Sequence, residues 1–465
     1  MMDGTMSAGV NGAVSFWYAD IGGVPGYRAP LPGDRDADVC IVGAGYTGLW
    51  TAYYLRKVDP ALRIVVVEKE FAGYGASGRN GGWLSGDFGW SRERYMATSS
   101  RGSVIAMEKA MAGTVNEVIA VTEAEGIDAD IVRTGNLQVA TNRAQLERLE
   151  GYYRNFAAWE NGKSVDWLDA EETRRTVNVH NALGGVMKHG VARVQPAKLV
   201  RGLAATVERL GVPIYEQTAV TAISKGRVET TRGTVRAPII IRATEGFTAG
   251  IPGHRRLWLP LNSALIVTEP LPEALWQEIG WQGRELLGDM AHAYCYAQRT
   301  REGRIAMGGR GVPYRFGSRT DVRGQTQAAT IAQLRAILHK LFPQTQGLRI
   351  DHAWCGTLGV PRDWCTTAGL DRETGIGWAG GYVGLGVGSS NLSGRTLCDL
   401  VLGRDTELTA LPWVNRSVRK WEPEPLRWLG VHSMYQLYRI ADRREDAGLP
   451  HSSRLAAFAD RLTGH

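Results

Sequence analysis

The run Gly43-Ala44-Gly45-Tyr46-Thr47-Gly48 has the spacing G-x-G-x-x-G. Alone that pattern is a weak signal. Here it follows the apolar stretch Asp38-Val39-Cys40-Ile41-Val42 and opens a helix-compatible segment, Tyr46 to Lys57. Glu68 comes 20 residues after Gly48, at the end of a second apolar stretch from Arg63. Strand, helix and strand in this order carry the dinucleotide-binding fingerprint. Gly43 permits a tight turn. Gly45 lets backbone N–H groups approach a pyrophosphate at the positive end of the helix. Gly48 allows the helix to pack closely on the strand. The Glu68 carboxylate accepts hydrogen bonds from ribose hydroxyls and repels a 2′-phosphate, which disfavours NADP. Lys69 joins it as a cofactor-binding candidate.

Two further glycine-rich runs extend this chemistry. In Gly75-Ala76-Ser77-Gly78-Arg79-Asn80-Gly81-Gly82, Ser77 and Arg79 can serve a diphosphate and sugar, because a cationic fork suits phosphate. The alternative for Arg79 is a solvated surface position. The Gly81-Gly82 backbone can approach a flat ring where side chains would clash. The run from Gly380 to Gly388 includes the candidates Gly381, Tyr382, Gly384, Gly386 and Val387. It precedes Ser389-Ser390-Asn391-Leu392 and a helix expected from about Asn391 to Leu402. Ser390 or Asn391 suits its N-cap, and the N-terminus of that helix carries partial positive charge.

With these blocks in place, the chain resembles the FAD-dependent oxidoreductases of the D-amino-acid oxidase superfamily, and within it the γ-glutamylputrescine oxidoreductase group. The resemblance runs from about Phe16 to the tail. It rests on Asp38 to Glu70, Gly75 to Gly82, Gln195 to Gly246, and Trp378 to Gly403. It implies FAD as cofactor and places Asn80 near the flavin. It implies that the glycine-rich turn and its helix point at the pyrimidine end of the ring, where a fixed dipole stabilises the anionic reduced flavin. The Val220 main chain matches the position that meets the adenine. Ala243-Thr244-Glu245-Gly246 matches the strand end near the pyrophosphate, but Glu245 departs from the commoner small-residue run. Trp354-Cys355-Gly356 resembles the entry to the ring end. Cys355 lies roughly where some relatives hold flavin through sulfur, although a buried thiol is the default.

The reaction so implied oxidises the C–N bond of a small amine or amino acid to an imine, which hydrolyses to an aldehyde or keto acid. Reduced FAD then passes electrons to O₂ or another acceptor. The cofactor carries that chemistry and no dedicated acid or base is required. His189, His254, His292 and His352 are read as structural or surface residues. For substrate contacts, Tyr294, Tyr296 and Gln298 alternate along one strand and share a face. That face meets either the flavin or solvent. Arg310 is a candidate for a substrate anion, or an exposed arginine. Two rival readings are an NAD-linked dehydrogenase using the same fingerprint, and a non-catalytic flavin-binding module that docks a partner through its tail.

The elements that must position these residues read as an α/β (α+β) fold. It comprises a Rossmann-type FAD-binding domain and a second domain with a mixed or antiparallel sheet. The expected division is an N-terminal arm at 1–35, a discontinuous FAD domain at 36–100, 190–255 and 350–404, a substrate domain at 101–189 and 256–349, and a helical tail at 405–465. Half-buried strands are expected over Leu261 to Thr268, Ala293 to Gln298 and Arg304 to Gly308. The chain has 465 residues, enough for two or three structural units. Its 58 glycines, about one residue in eight, exceed the usual value of about 7% and imply many turns and close approaches. The net charge of +7 is spread along the chain, so no nucleic-acid tail is read. Weak attraction of anionic ligands is the minimum reading. The odd set Cys40, Cys295, Cys355, Cys365 and Cys398 has no metal-ligand spacing, and buried reduced thiols in a cytoplasmic protein are expected. No secretory signal, membrane span or metal site is expected, and the sequence leaves the oligomeric state undetermined.

Overall fold

The computed structural model describes residues 9–89, 92–159, 164–309, 314–320 and 323–463. Val39–Val42 and Ile64–Val67 are apolar, mostly β-branched runs buried at every position. They sit in the middle of a six-stranded sheet ordered Thr367–Asp371, Ile376–Gly380, Ile239–Arg242, Val39–Val42, Ile64–Val67, Ile214–Tyr215. All neighbours are parallel except the first pair. Side chains leave a strand on alternate faces, and here both faces are covered, so neither run alternates with polar residues. Val39, Ile41, Ile64 and Val66 share one core with the helices Tyr46–Val58, Arg101–Ala124, Pro196–Arg209 and Gly386–Val401. Cys40, Val42, Val65 and Val67 pack under a four-stranded sheet of Val220–Ser224, Arg227–Thr230, Gly233–Arg236 and Arg35–Asp36. Helices, parallel sheet and small sheet form the three layers of the α/β unit.

The second sheet has ten strands. Its order is Val10–Asn11, Ile350–Val360, Leu259–Thr268, Ile305–Gly309, Cys295–Arg299, Leu286–Asp289, Val132–Ala140, Gly184–Arg193, Trp83–Leu84, with Val165–Leu168 also paired to Gly184–Arg193. Most pairs are antiparallel. Leu259–Thr268 is buried at every position, not half-buried as expected. Both of its faces are covered: Ala264 and Ile266 pack with Ile331 and Leu334 of the helix Ala328–Leu341, and Leu265 and Val267 with Phe16 and Trp17.

Three expectations change. The N-terminal stretch is not a loose lead-in: the helix Phe16–Asp20 buries Phe16, Trp17 and Tyr18, and Val10–Asn11 adds a strand to the large sheet. The dividing lines also run differently. Gly184–Arg193 is continuous across the break expected at 189/190, and Ile350–Val360 belongs to the ten-stranded sheet and not to the parallel one. Finally, the last glycine-rich helix begins at Gly386, five residues before Asn391. Its glycines are there for close packing. A Cβ at Gly388 would run into the Ser85 carbonyl, and one at Gly394 would lie 2.7 Å from the Trp50 Cβ. Tertiary fit overrides the low helix propensity of glycine here.

The tail forms the helices Leu426–Asp446 and Arg454–Thr463. All five cysteines are buried free thiols. Among the described residues, no helix is long and apolar enough to cross a membrane.

Candidate functional site

The strand Val39–Val42 ends at Gly43, whose φ of +106° suits glycine, and a Cβ there would sit 2.6 Å from the Ala243 carbonyl oxygen. The chain then turns into the helix Tyr46–Val58. Gly45 occupies its N-cap and supplies no side-chain cap. A Cβ at Gly48 would run into the Gly43 carbonyl, so helix and turn meet at a distance only glycine permits. Ser77 Oγ accepts the Tyr46 N–H at 2.8 Å. Glu68 lies half-buried beside the turn. It accepts the Ala44 N–H at 2.8 Å and the Glu70 N–H at 3.0 Å, and desolvation pushes its carboxyl above the ordinary range.

A cavity of about 470 Å³ opens over this turn. Gly43, Gly45, Tyr46, Thr47, Glu68, Lys69, Ser77, Asn80 and Val220 are among the residues that line it. Tyr382, Gly384, Gly386 and Val387 line it at the start of the helix Gly386–Val401. The N-cap of that helix is Leu385 and has no side-chain cap, so its first N–H groups are left to the cavity. Two helix N-termini therefore bring partial positive charge to one elongated space. Tyr382 Oη and Thr47 Oγ1, from the two helix starts, meet at 2.8 Å.

Several sequence candidates stand elsewhere. Ala44 contributes its N–H to Glu68 and does not line the cavity. Asn391 is not a cap: it is buried inside the helix, where its Nδ2 donates to Tyr54 Oη at 2.8 Å. Gly381 has a φ of +71° and turns against Pro361. Arg79 is not a solvated surface residue. It is 1% exposed, its Nε donates to the Tyr74 carbonyl at 2.7 Å, and its guanidinium lies 4.4 Å from the Tyr74 ring. Trp354 is fully buried against Phe16 and Trp17 and donates to the Arg79 carbonyl at 2.8 Å. Cys355 is buried, with its Sγ 3.2 Å from the Gln325 carbonyl.

Tyr296 and Gln298 do share an inward face, and it meets the Gly81-Gly82 turn. Gln298 Nε2 donates to the Gly81 carbonyl at 2.5 Å, and Tyr296 Oη pairs with Ser263 Oγ at 2.9 Å. Neither borders the cavity, and nor do Gly81 and Gly82. Tyr294 precedes the strand and is 38% exposed. Arg310 lies outside the described residues.

Sequence reading missed several other residues that line the cavity: Tyr74, Phe247, Ile251, Ser318, Thr357 and Leu358. These come from four separated segments, and nothing in local spacing joins them. Glu245 was noticed only as a departure. It lies half-buried in the cavity wall with a φ of +41°, a conformation non-glycine residues rarely adopt. Its Oε1 accepts the Tyr382 N–H at 3.0 Å and its Oε2 accepts the Gly359 N–H. Desolvation pushes its carboxyl up to about 7, against the pull of those N–H groups and of Arg242.

The sequence family described as FAD dependent oxidoreductase (DAO) matches residues 38–400. The chain belongs to this family. γ-Glutamylputrescine oxidoreductase of Escherichia coli (strain K12) is 32% identical over 376 residues, covering 79% of this chain and 84% of that protein. A probable oxidoreductase OrdL of Rhizobium meliloti (strain 1021) is 30% identical, covering 82% and 86%. The crystal structure of glycine oxidase from Geobacillus kaustophilus shares the fold, with a TM-score of 0.67 and 23% identity over 80% of this chain and 96% of that one.

FAD is the cofactor of this DAO-family oxidoreductase. The NAD-linked and non-catalytic readings fall away. The residues present fit a dinucleotide: a turn that tolerates no side chain at Gly43 or Gly48, a helix start whose N-cap, Gly45, has no side chain, and a carboxylate at Glu68.

Proposed function

We propose that this enzyme oxidises the C–N bond of a small amine bearing a remote anionic group, of the γ-glutamylputrescine type, to an imine that water hydrolyses to an aldehyde. The observation that carries this reading is the 32% identity across 79% of the chain to a protein named γ-glutamylputrescine oxidoreductase. Bound FAD supplies the two-electron acceptor, and O₂ or another acceptor takes the electrons on. The substrate loses its C–H hydrogen and one N–H hydrogen, and gains the C=N bond. This chain's own contribution is positional. The helix starts at Gly45 and Gly386 set partial positive charge in the cavity wall. Gln298 and Tyr296 support the Gly81-Gly82 turn from the large sheet. Arg310 is the proposed partner of the substrate anion.

The test is anaerobic mixing of the yellow enzyme with a panel of amines. Fast loss of flavin colour is expected with acid-bearing diamine derivatives and slow loss with plain alkylamines of equal length. Arg310→Ala should raise KM for the former and spare the latter. Bleaching by simple amino acids alone would overturn the substrate class, and bleaching by none would overturn amine oxidation.

A further inference from the structure

Glu245 is an acidic side chain in the wall of a cavity that takes an anionic dinucleotide. Its two oxygens are bonded to backbone N–H groups of two different wall segments, Gly359 at the end of the strand Ile350–Val360 and Tyr382 in the turn before the helix Gly386–Val401. The carboxylate thus ties the large sheet to the glycine-rich turn. A Cβ at Gly359 would run into this carboxylate, so the segment passes as close as a chain can. The backbone at Glu245 is held in the left-handed region to reach both partners.

The charge that would normally accompany such a carboxylate is turned elsewhere. Arg242 is buried and is the cation that acts on Glu245, yet its guanidinium donates to Thr248 Oγ1 at 2.9 Å and lies 4.7 Å from the Trp258 ring. From the turn, the other titratable group facing Glu245 is the Tyr382 phenol, already bonded to Thr47. The neighbouring stretch Thr357-Leu358-Gly359 and the strand Leu259–Thr268 contain no ionisable residue. Glu245 is thereby a carboxyl whose protonation an entering anion can change. Lowering the negative charge of the wall favours the dinucleotide, and desolvation already brings the group close to neutral pH.

We propose that Glu245 couples FAD binding to the uptake of one proton. When the anionic dinucleotide enters, a solvent proton bonds to one Glu245 oxygen. That oxygen gives up its role as acceptor, a wall N–H group that it held is freed for the ligand, and the new O–H can donate. Glu245 is a positioning residue in this scheme. It sets the wall and its charge, and the C–N chemistry needs no proton from it.

The linkage has a definite sign. Below about pH 7 Glu245 is already protonated and FAD affinity is flat. Above it, affinity falls with a slope approaching tenfold per pH unit, until the pH at which the bound-state carboxyl itself ionises. The experiment dilutes the full-length holoenzyme at pH values from about 6 to about 9 and reads released FAD by its fluorescence. Wild type should show the falling affinity. Glu245→Gln should be flat across the range, and Glu68→Gln should keep the wild-type slope. Equal slopes in wild type and Glu245→Gln would overturn the proposal, and so would loss of the slope in Glu68→Gln alone. A second measurement is independent of any variant's folding: calorimetry of FAD binding in two buffers of different ionisation heat at about pH 8 should count a proton taken up by wild type. No exchange there overturns it as well.

Discussion

Replacing Glu68 with alanine tests whether this carboxylate builds the cofactor turn as well as contacting the cofactor. In the structure its two oxygens accept the Ala44 N–H at 2.8 Å and the Glu70 N–H at 3.0 Å. Deleting both acceptors strands two donors, at about 1–3 kcal/mol each when water is excluded. Glu68 is half-buried at the cavity wall, so water can reach part of this region and the lower end applies, about 2 kcal/mol for the pair. Removing a carboxylate whose ionisation is already disfavoured returns part of that cost. The flavin-free protein should therefore lose about 1–2 kcal/mol. FAD should bind more weakly again, by about tenfold to a hundredfold, through lost charge-assisted bonds to the ribose. Glu68→Gln keeps one acceptor and should fall between. Urea unfolding without FAD, followed by tryptophan fluorescence, reads the first effect, and flavin fluorescence titration the second. An alanine variant with a wild-type unfolding midpoint would refute the organising role. Wild-type FAD affinity in that variant would refute the ribose contact.

Two more predictions address close packing and tail docking. Gly388→Ala should cost about 1–3 kcal/mol and weaken FAD retention, because its Cβ would press on the Ser85 carbonyl and displace the helix start that lines the cavity; Gly113→Ala, with open space around it, is the control, and thermal unfolding with retained-flavin absorbance compares them. Burial alone would raise the Glu445 carboxyl, but hydrogen bonds from His292 at 2.9 Å and Arg148 at 2.7 Å outweigh it and hold it down at about 2. The stability this carboxylate gives is thus present above its unfolded value of about 4.5 and is lost as pH falls toward 2. Release of the Leu426–Asp446 helix to protease should therefore rise across that window in wild type, and in Glu445→Gln it should already be high at neutral pH.

The contrast between what spacing revealed and what it concealed follows the range of the contacts involved. Gly43 to Gly48 and Glu68 were legible because strand, turn, helix and strand are contiguous and their spacing is itself the signal, even though only Gly48 answers to atoms nearby in the chain, Gly43 meeting Ala243 and Gly45 meeting Ser77. Gly388 and Gly394 carry the same residue type, but their reasons lie 300 residues or more away in the chain, at Ser85 and at Trp50 of the Tyr46–Val58 helix. A run of glycines judged locally reads as a loop, and only the packed neighbour turns it into a helix start. Phe16 and Trp17 were hidden the same way: their Gly- and Pro-rich surroundings look irregular, while their partners Leu265, Val267 and Trp354 come from the far end of the fold. Polar side chains are harder still, since their meaning depends on which atom they reach. Arg79 has the charge of a phosphate ligand, yet its Nε is turned to the Tyr74 carbonyl, its guanidinium lies over the Tyr74 ring, and its Nη1 donates to the Cys355 carbonyl. Glu245 was legible only as a departure from a small-residue run, yet it is the side chain that joins Gly359 to Tyr382 across the cavity wall. Its left-handed backbone breaks a local rule, and such breaks are expected at functional sites. Glu245, which ties two segments of the wall together, is therefore the place to look for what this wall does beyond holding a dinucleotide.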